Sequence, residues 1–196
     1  MRNLCLVVIV LACLAAATNV FADVVVDSIN PSLTPVAGSW ATNWQAWVYT
    51  PGITYTLTDV ESKFSSYGSS GTLGVGIYSG FGSNGPTGLL GSSTMFANNN
   101  NNWSTATFSP ISITASNTYY VVFSGTSGVG VNVNSTGPGA LTPYYFSYDN
   151  SNWYYYNGGY GMFQFSGSQT PEPSSILLLG SGLVGLAGVL RRKTNL

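Results

Sequence analysis

Between Asp23 and Gln169 the sequence predicts an all-β domain, a β-sandwich or jelly roll. Three observations carry that prediction. No window in the stretch repeats apolar residues at the helical spacing of three and four. About ten short segments are instead rich in β-branched and aromatic residues, several with the period-two alternation of a half-buried strand. Clusters of Gly, Pro, Asn and Asp separate them at intervals of roughly 8–15 residues, the spacing of a many-stranded sandwich.

The elements follow in order. Asp23 to Ile29 is strand-like, and Asn30-Pro31-Ser32 ends it. After a looser stretch to Asn43, Trp44 to Thr50 alternates, with Trp44, Ala46 and Val48 on one side and Gln45, Trp47 and Tyr49 on the other. Pro51-Gly52 marks a turn, and Ile53 to Ser65 makes a long strand or hairpin arm. Thr72 to Tyr78 is the next strand, after a turn at Gly68 to Gly71. Gly80 to Gly88, with four glycines and a proline, is expected to be a loop, followed by a strand from Leu89 to Phe96. The asparagine run Asn98 to Asn102 predicts a solvated loop. Trp103 to Ile113 alternates well, and Asn117 to Phe123 is the most apolar strand and the expected sheet centre. Val129, Val131 and Val133 share a face, and Ser135 to Pro143 is a Gly/Pro loop. Tyr144 to Tyr148, Asn152 to Tyr156 and Tyr160 to Phe165 close the domain, joined by Asp149-Asn150-Ser151 and Asn157-Gly158-Gly159. Ser166 to Thr170 is expected to be a polar linker.

Two apolar segments flank this domain. Met1-Arg2-Asn3 carries one cation, Leu4 to Ala17 is apolar, and Val20-Phe21-Ala22 offers a small-residue cleavage site. That pattern predicts a secretory signal peptide over residues 1–22, cut between Ala22 and Asp23. Val10-Leu11-Ala12-Cys13 is a weaker lipoprotein-box alternative, because the apolar run continues past Cys13. Signal removal takes Cys5 and Cys13, so the exported domain (23–169) carries no thiol or disulfide. At the other end, residues 170–196 comprise Pro171-Glu172-Pro173, an uncharged apolar run from Ser174 to Leu190, and Arg191-Arg192-Lys193. Seventeen residues from Ser174 to Leu190 lie at the short edge of a transmembrane helix. Lipid tolerates the glycines at 182, 185 and 188, because an unpaired backbone group there costs more than the glycine does. The basic triplet keeps the C-terminus cytoplasmic, and the two prolines hold the chain extended above the membrane.

Pro171-Glu172-Pro173, a short glycine-rich span and the Arg191-Arg192-Lys193 end, in that order, resemble a PEP-CTERM sorting tail. The resemblance implies recognition and processing by a membrane-embedded exosortase at or near Pro171, Glu172 and Pro173. It also implies bacterial cells that make extracellular polysaccharide. The tail is then an address that is cut off rather than a permanent anchor. The segments Trp47 to Gly52, Tyr55 to Val60, Leu73 to Tyr78 and Tyr119 to Phe123, with the closing Trp153 and Phe163-Gln164-Phe165, resemble the choice-anchor domains found before such tails. That second resemblance implies a jelly-roll sandwich.

Charge narrows the function. From Asp23 to Gln169, Lys63 (+1) stands against Asp23, Asp27, Asp59, Glu61 and Asp149 (−5), which leaves −4. Without Lys and Arg to neutralise phosphates, no nucleic-acid partner is expected. The chain has no histidine and the exported domain no cysteine, so the commonest bases, nucleophiles and zinc ligands are missing. No cofactor, metal or enzymatic activity is expected. Asp59 and Glu61 fall two apart on one strand face, a spacing that could serve glycoside hydrolysis. Lys63 continues the same row, and a solvated charged row that blocks edge pairing accounts for all three. Asp23, Asp27 or Asp149 could contribute to a calcium site, but Asp149-Asn150-Ser151-Asn152 lacks the later acidic ligand and suits a turn. Asn102-Trp103-Ser104 and Asn134-Ser135-Thr136 are sequons of the kind an Asn/Ser-rich chain produces by chance.

The strongest functional candidate is aromatic. Half of the 22 residues from Tyr144 to Phe165 are Tyr, Phe or Trp. Alternation forces part of Trp153-Tyr154-Tyr155-Tyr156 outward, and rings beside Asn and Ser suit stacking on sugars. Trp47 and Tyr49 are expected to extend that face; rings filling the core are the competing account. The expectation is therefore an exported surface or matrix protein, structural or adhesive, associated with exopolysaccharide or biofilm. A dedicated carbohydrate-binding module is the alternative, and a glycoside hydrolase a weaker one.

Overall fold

The structure, a computed structural model, describes residues 24–33, 44–64, 70–98, 102–125, 139, 141–169, 180 and 182 of the chain. The predicted signal peptide and its Ala22–Asp23 cleavage site lie outside the described residues. So do Val129 to Val133, Pro171 to Pro173, Arg191 to Lys193 and all but two positions of the expected membrane helix.

Among the described residues, ten strands form two antiparallel sheets. They are β1 (Val24–Ile29), β2 (Trp44–Tyr49), β3 (Tyr55–Lys63), β4 (Gly71–Gly82), β5 (Gly85–Ala97), β6 (Trp103–Ile113), β7 (Tyr119–Gly125), β8 (Thr142–Ser147), β9 (Tyr154–Gly159) and β10 (Phe163–Gln169). One sheet has the order β1-β10-β3-β6, and the other β5-β4-β7-β2-β8-β9. Of the neighbouring pairs, β4–β5 and β8–β9 are hairpins. The other pairings join strands distant in sequence, so the chain wraps back and forth between the sheets. β7 lies inside its sheet, between β4 and β2, as its apolar sequence predicts.

The inner faces meet in one core. Leu57 and Val60 of β3, Ala106 and Ile113 of β6, and Phe163 and Phe165 of β10 face Trp47, Val75, Ile77, Val121 and Phe123 of the larger sheet. Alternation produces this directly: β3 reads buried at Tyr55, Leu57, Val60 and Ser62 and half-exposed between them, with a bulge between Leu57 and Asp59. A chain of hydroxyls adds a polar tie across the core. Tyr55 OH lies 2.9 Å from Tyr49 OH, which donates to Asp27 at 2.9 Å. That chain links β3 and β1 of one sheet to β2 of the other. Burial first, then Tyr55 and Asp27, raises the pKa of Tyr49 far above the ordinary phenol value.

Several sequence expectations need correction. Gly80 to Gly88 is not a loop: β4 and β5 run through it, and the turn is confined to Ser83-Asn84. Its glycines serve a bend. β4 and β8 are separated by β7 and β2, which places them ~14 Å apart in a flat sheet. Yet the rings of Phe81 and Tyr145 stack at 3.9 Å. The β4–β5 tip therefore folds over the outer face of its own sheet, which helps to bury Ala46 and Val122 there. Gly85, at φ +112°, leaves room for the Trp153 indole, where any side chain would collide with Nε1. Asn157-Gly158-Gly159 is likewise strand rather than turn. A side chain at Gly159 would strike Trp47 and Tyr144, so the glycine lets the buried indole lie against the backbone. Ser166 to Gln169, expected to be a linker, completes β10, paired with both β1 and β3. Finally, β3 is flanked by β10 and β6, so the Asp59–Glu61–Lys63 row does not guard an edge.

Candidate functional site

The aromatic run from Tyr144 to Phe165 divides between core and surface. Trp47 and Tyr49, expected on an exposed face, are buried and belong to the core. Trp47 stacks on Tyr144 at 4.5 Å and donates from Nε1 to Gln45 Oε1 at 3.2 Å. Tyr49 stacks on Phe165 at 3.9 Å. Trp153 is half-buried: it stands edge-on to Phe81 at 5.4 Å, and its Nε1 is enclosed with no hydrogen-bond partner. It packs against the β4–β5 tip rather than presenting a free ring.

The exposed rings are Tyr148, Tyr154, Tyr155 and Tyr156, each more than half accessible. Their placement follows from strand register. β9 pairs with β8 through Phe146↔Tyr154, Tyr145↔Tyr155 and Tyr144↔Tyr156. Opposed residues share a face, so Tyr154 and Tyr156 lie on the core side of the larger sheet and Tyr155 on its outer side. β8 and β9 end the six-stranded sheet, and the exposure of Tyr154 and Tyr156 shows that the four-stranded sheet does not cover them. They form a ledge around the half-buried Phe146. Tyr154 stacks on Phe146 at 5.4 Å, Tyr148 meets it edge-on at 5.8 Å, and Tyr156 meets Tyr144 edge-on at 5.5 Å. Behind them, Tyr155 leans on Tyr145 at 5.2 Å. Burial, then Tyr156 and Tyr148, pushes the Tyr144 phenol up to about 12. The sequence omits no residue type here, but Tyr148 is a ledge member that alternation alone missed, because it sits past the end of β8.

The β8–β9 turn is held by Asp149. Its Oδ1 accepts from the backbone N–H groups of Asn152 (2.8 Å) and Ser151 (2.9 Å) and from Ser147 Oγ (3.1 Å), and its Oδ2 from Asn152 Nδ2 (2.7 Å). These donors, the Asn152 backbone foremost, hold the exposed carboxyl well below the usual carboxylate range. Four donors on one carboxylate are the pattern of an aspartate-initiated turn. Asp27 accepts from Tyr49 OH and from the Ser28 N–H, and Asp23 lies outside the described residues. Among the described residues no three His, Cys, Asp or Glu side chains gather to hold a metal.

Asp59 and Glu61 do share one face, as their spacing predicts. Each is engaged by hydroxyls: Thr107 Oγ1 donates to Asp59 at 2.7 Å, Thr58 Oγ1 to Asp59 at 2.9 Å, and Thr105 Oγ1 to Glu61 at 3.0 Å. Lys63 donates to the carbonyls of Pro31 and Leu33 at 3.2 Å and lies 4.7 Å from the Trp103 ring centre.

Residues 169–193 match the model of the PEP-CTERM protein-sorting motif. The motif marks the chain as an exported, envelope-associated protein sorted by an exosortase. No curated protein matches the chain.

Proposed function

We propose that the protein is a non-catalytic matrix or surface component with a structural or adhesive role, which contacts exopolysaccharide weakly through the Tyr148–Tyr154–Tyr155–Tyr156 hairpin. The observation that carries this is the exposure of four tyrosines on both faces of one hairpin whose strands bear no charge. An apolar ring face with a hydroxyl at its edge suits a sugar, which presents C–H groups on its faces and hydroxyls around its rim. The sandwich is read as choice-anchor-like. The apolar run 174–190 would hold it at the inner membrane, C-terminus cytoplasmic, until an exosortase cuts near Pro171-Glu172-Pro173. Against hydrolysis stand the threonine hydroxyls that engage Asp59 and Glu61.

Affinity electrophoresis of the exported protein through gels containing the extracellular polysaccharide of the producing cells tests this. The double variant Tyr154→Ala/Tyr156→Ala should lose about tenfold in retention, which is ~1.4 kcal/mol. Unchanged retention by a variant that melts like the native protein would sink the glycan contact. The same assay separates the carbohydrate-binding-module alternative, which requires saturable binding to one defined glycan.

A further inference from the structure

Among the described residues the two sheets end in four edge strands, β1 and β6 in the smaller sheet and β5 and β9 in the larger. Each offers a row of backbone N–H and C=O groups to any second chain, and stable proteins blunt such rows with charge, proline, bulges or cover. Three of these four are blunted. β5 and β6 lie against each other: Ser93 Oγ donates to the Thr107 carbonyl at 2.5 Å, and a side chain at Gly91 would run into Ile111. Both also carry proline, Pro86 and Pro110. β1 has a bulge between Val25 and Asp27 and bears the Asp27 carboxylate. β9 differs. From Tyr154 to Tyr156 it has no charge and no proline, its register against β8 is unbroken, and each side chain is more than half exposed. The shift in its pairing comes only after Tyr156.

We propose that β9 is an association edge whose occupant is β9 of a second copy of this chain, paired antiparallel about a two-fold axis. An edge of alternating donors and acceptors is matched best by another such edge, and in an isologous pair the two are identical. Charge permits it. Neither β8 nor β9 contains Lys, Arg, Asp or Glu. The nearby carboxylate, Asp149 in the hairpin turn, is sent to opposite ends of the joined strands by antiparallel pairing. For strands of this length the two turns lie ~20 Å apart, beyond the ~8 Å over which surface charges act in physiological salt. The pair would join the two larger sheets edge to edge and leave the tyrosine ring faces open. It uses the backbone edge, so it does not rest on glycan contact.

The exported domain lacks cysteine, so single substitutions report alone. Antiparallel pairing about a two-fold axis sets one residue opposite its own copy, with Cα atoms ~4.5–5.5 Å apart, within disulfide reach. Tyr154→Cys, Tyr155→Cys, Tyr156→Cys and Asn157→Cys, each made in the exported protein and oxidised, should differ. One position should cross-link about tenfold faster than the rest, and the native protein should sediment as a dimer. Tyr155→Lys, which sets charge on the edge, should shift the protein about tenfold toward monomer with its circular dichroism unchanged. Equal or absent cross-linking at all four positions overturns the proposal, whatever the polysaccharide assay shows.

Discussion

β9 and β10 come from one aromatic-rich run, separated by Tyr160-Gly161-Met162, and have opposite fates. β10 lies between β1 and β3, and its Phe163 and Phe165 are wholly buried. β9 lies at the end of the other sheet, and its three tyrosines stand in solvent. The difference is position in the sheet rather than composition. A ring on the inner face of an interior strand has a second sheet to pack against, whereas Tyr154 and Tyr156 lie beyond the reach of the shorter sheet and Tyr155 stands on the outer face. Aromatic density in this chain therefore marks core and surface alike, and only topology separates them.

The largest effect should come from testing that contrast directly. Phe165→Ala empties a fully buried site stacked on Tyr49, and should cost ~3–5 kcal/mol in urea unfolding. Tyr155→Ala removes an exposed ring with one tilted neighbour, Tyr145, and should cost under ~1 kcal/mol. Comparable losses would mean that the β9 rings are structural and that the contrast fails.

Much of this arrangement is legible in the sequence. Alternation divided β2 correctly into two faces, yet could not say which faced inward. Gln45 makes the Trp47–Tyr49 face look polar, and only the structure shows Gln45 buried and accepting from the Trp47 indole. Glycine misleads here for a physical reason. At Gly85 and Gly159 it marks close approach of an indole to the backbone inside paired strands, a need that local sequence expresses in the same way as a turn. The ledge was legible as a tyrosine cluster. Its shape was not, because it depends on one sheet having two strands more than the other, a fact set by pairings distant in sequence. The tail was the most legible part, since its motif is contiguous.

A smaller effect should come from the polar tie that anchors β1. Tyr49→Phe removes the phenol that donates to Asp27 and accepts from Tyr55. Leaving these partly buried groups short of a partner should cost ~1–3 kcal/mol. Tyr55→Phe should cost less than Tyr49→Phe, because it leaves the bond between Tyr49 and Asp27 intact. Equal losses would show that the hydroxyl chain acts as one unit rather than as two bonds.

The smallest effect belongs to the β8–β9 turn, and its sign is set by Asp149. Its carboxyl is held below the ordinary range in the fold, so its contribution is present above the unfolded carboxylate pKa of ~3.9. It fades as pH falls below that value, when protonation costs the turn its charge-assisted acceptor. Asp149→Asn should remove this pH dependence: the native protein loses stability on acidification below about pH 4, and the variant loses less. Thermal melting of both proteins between neutral and acid pH measures the difference. Parallel curves would mean that the turn's hydrogen bonds, exposed as they are, do not couple to folding, and that the tyrosine hairpin is held by the packing of Tyr145 and Trp153 on Phe81 of the β4–β5 tip instead.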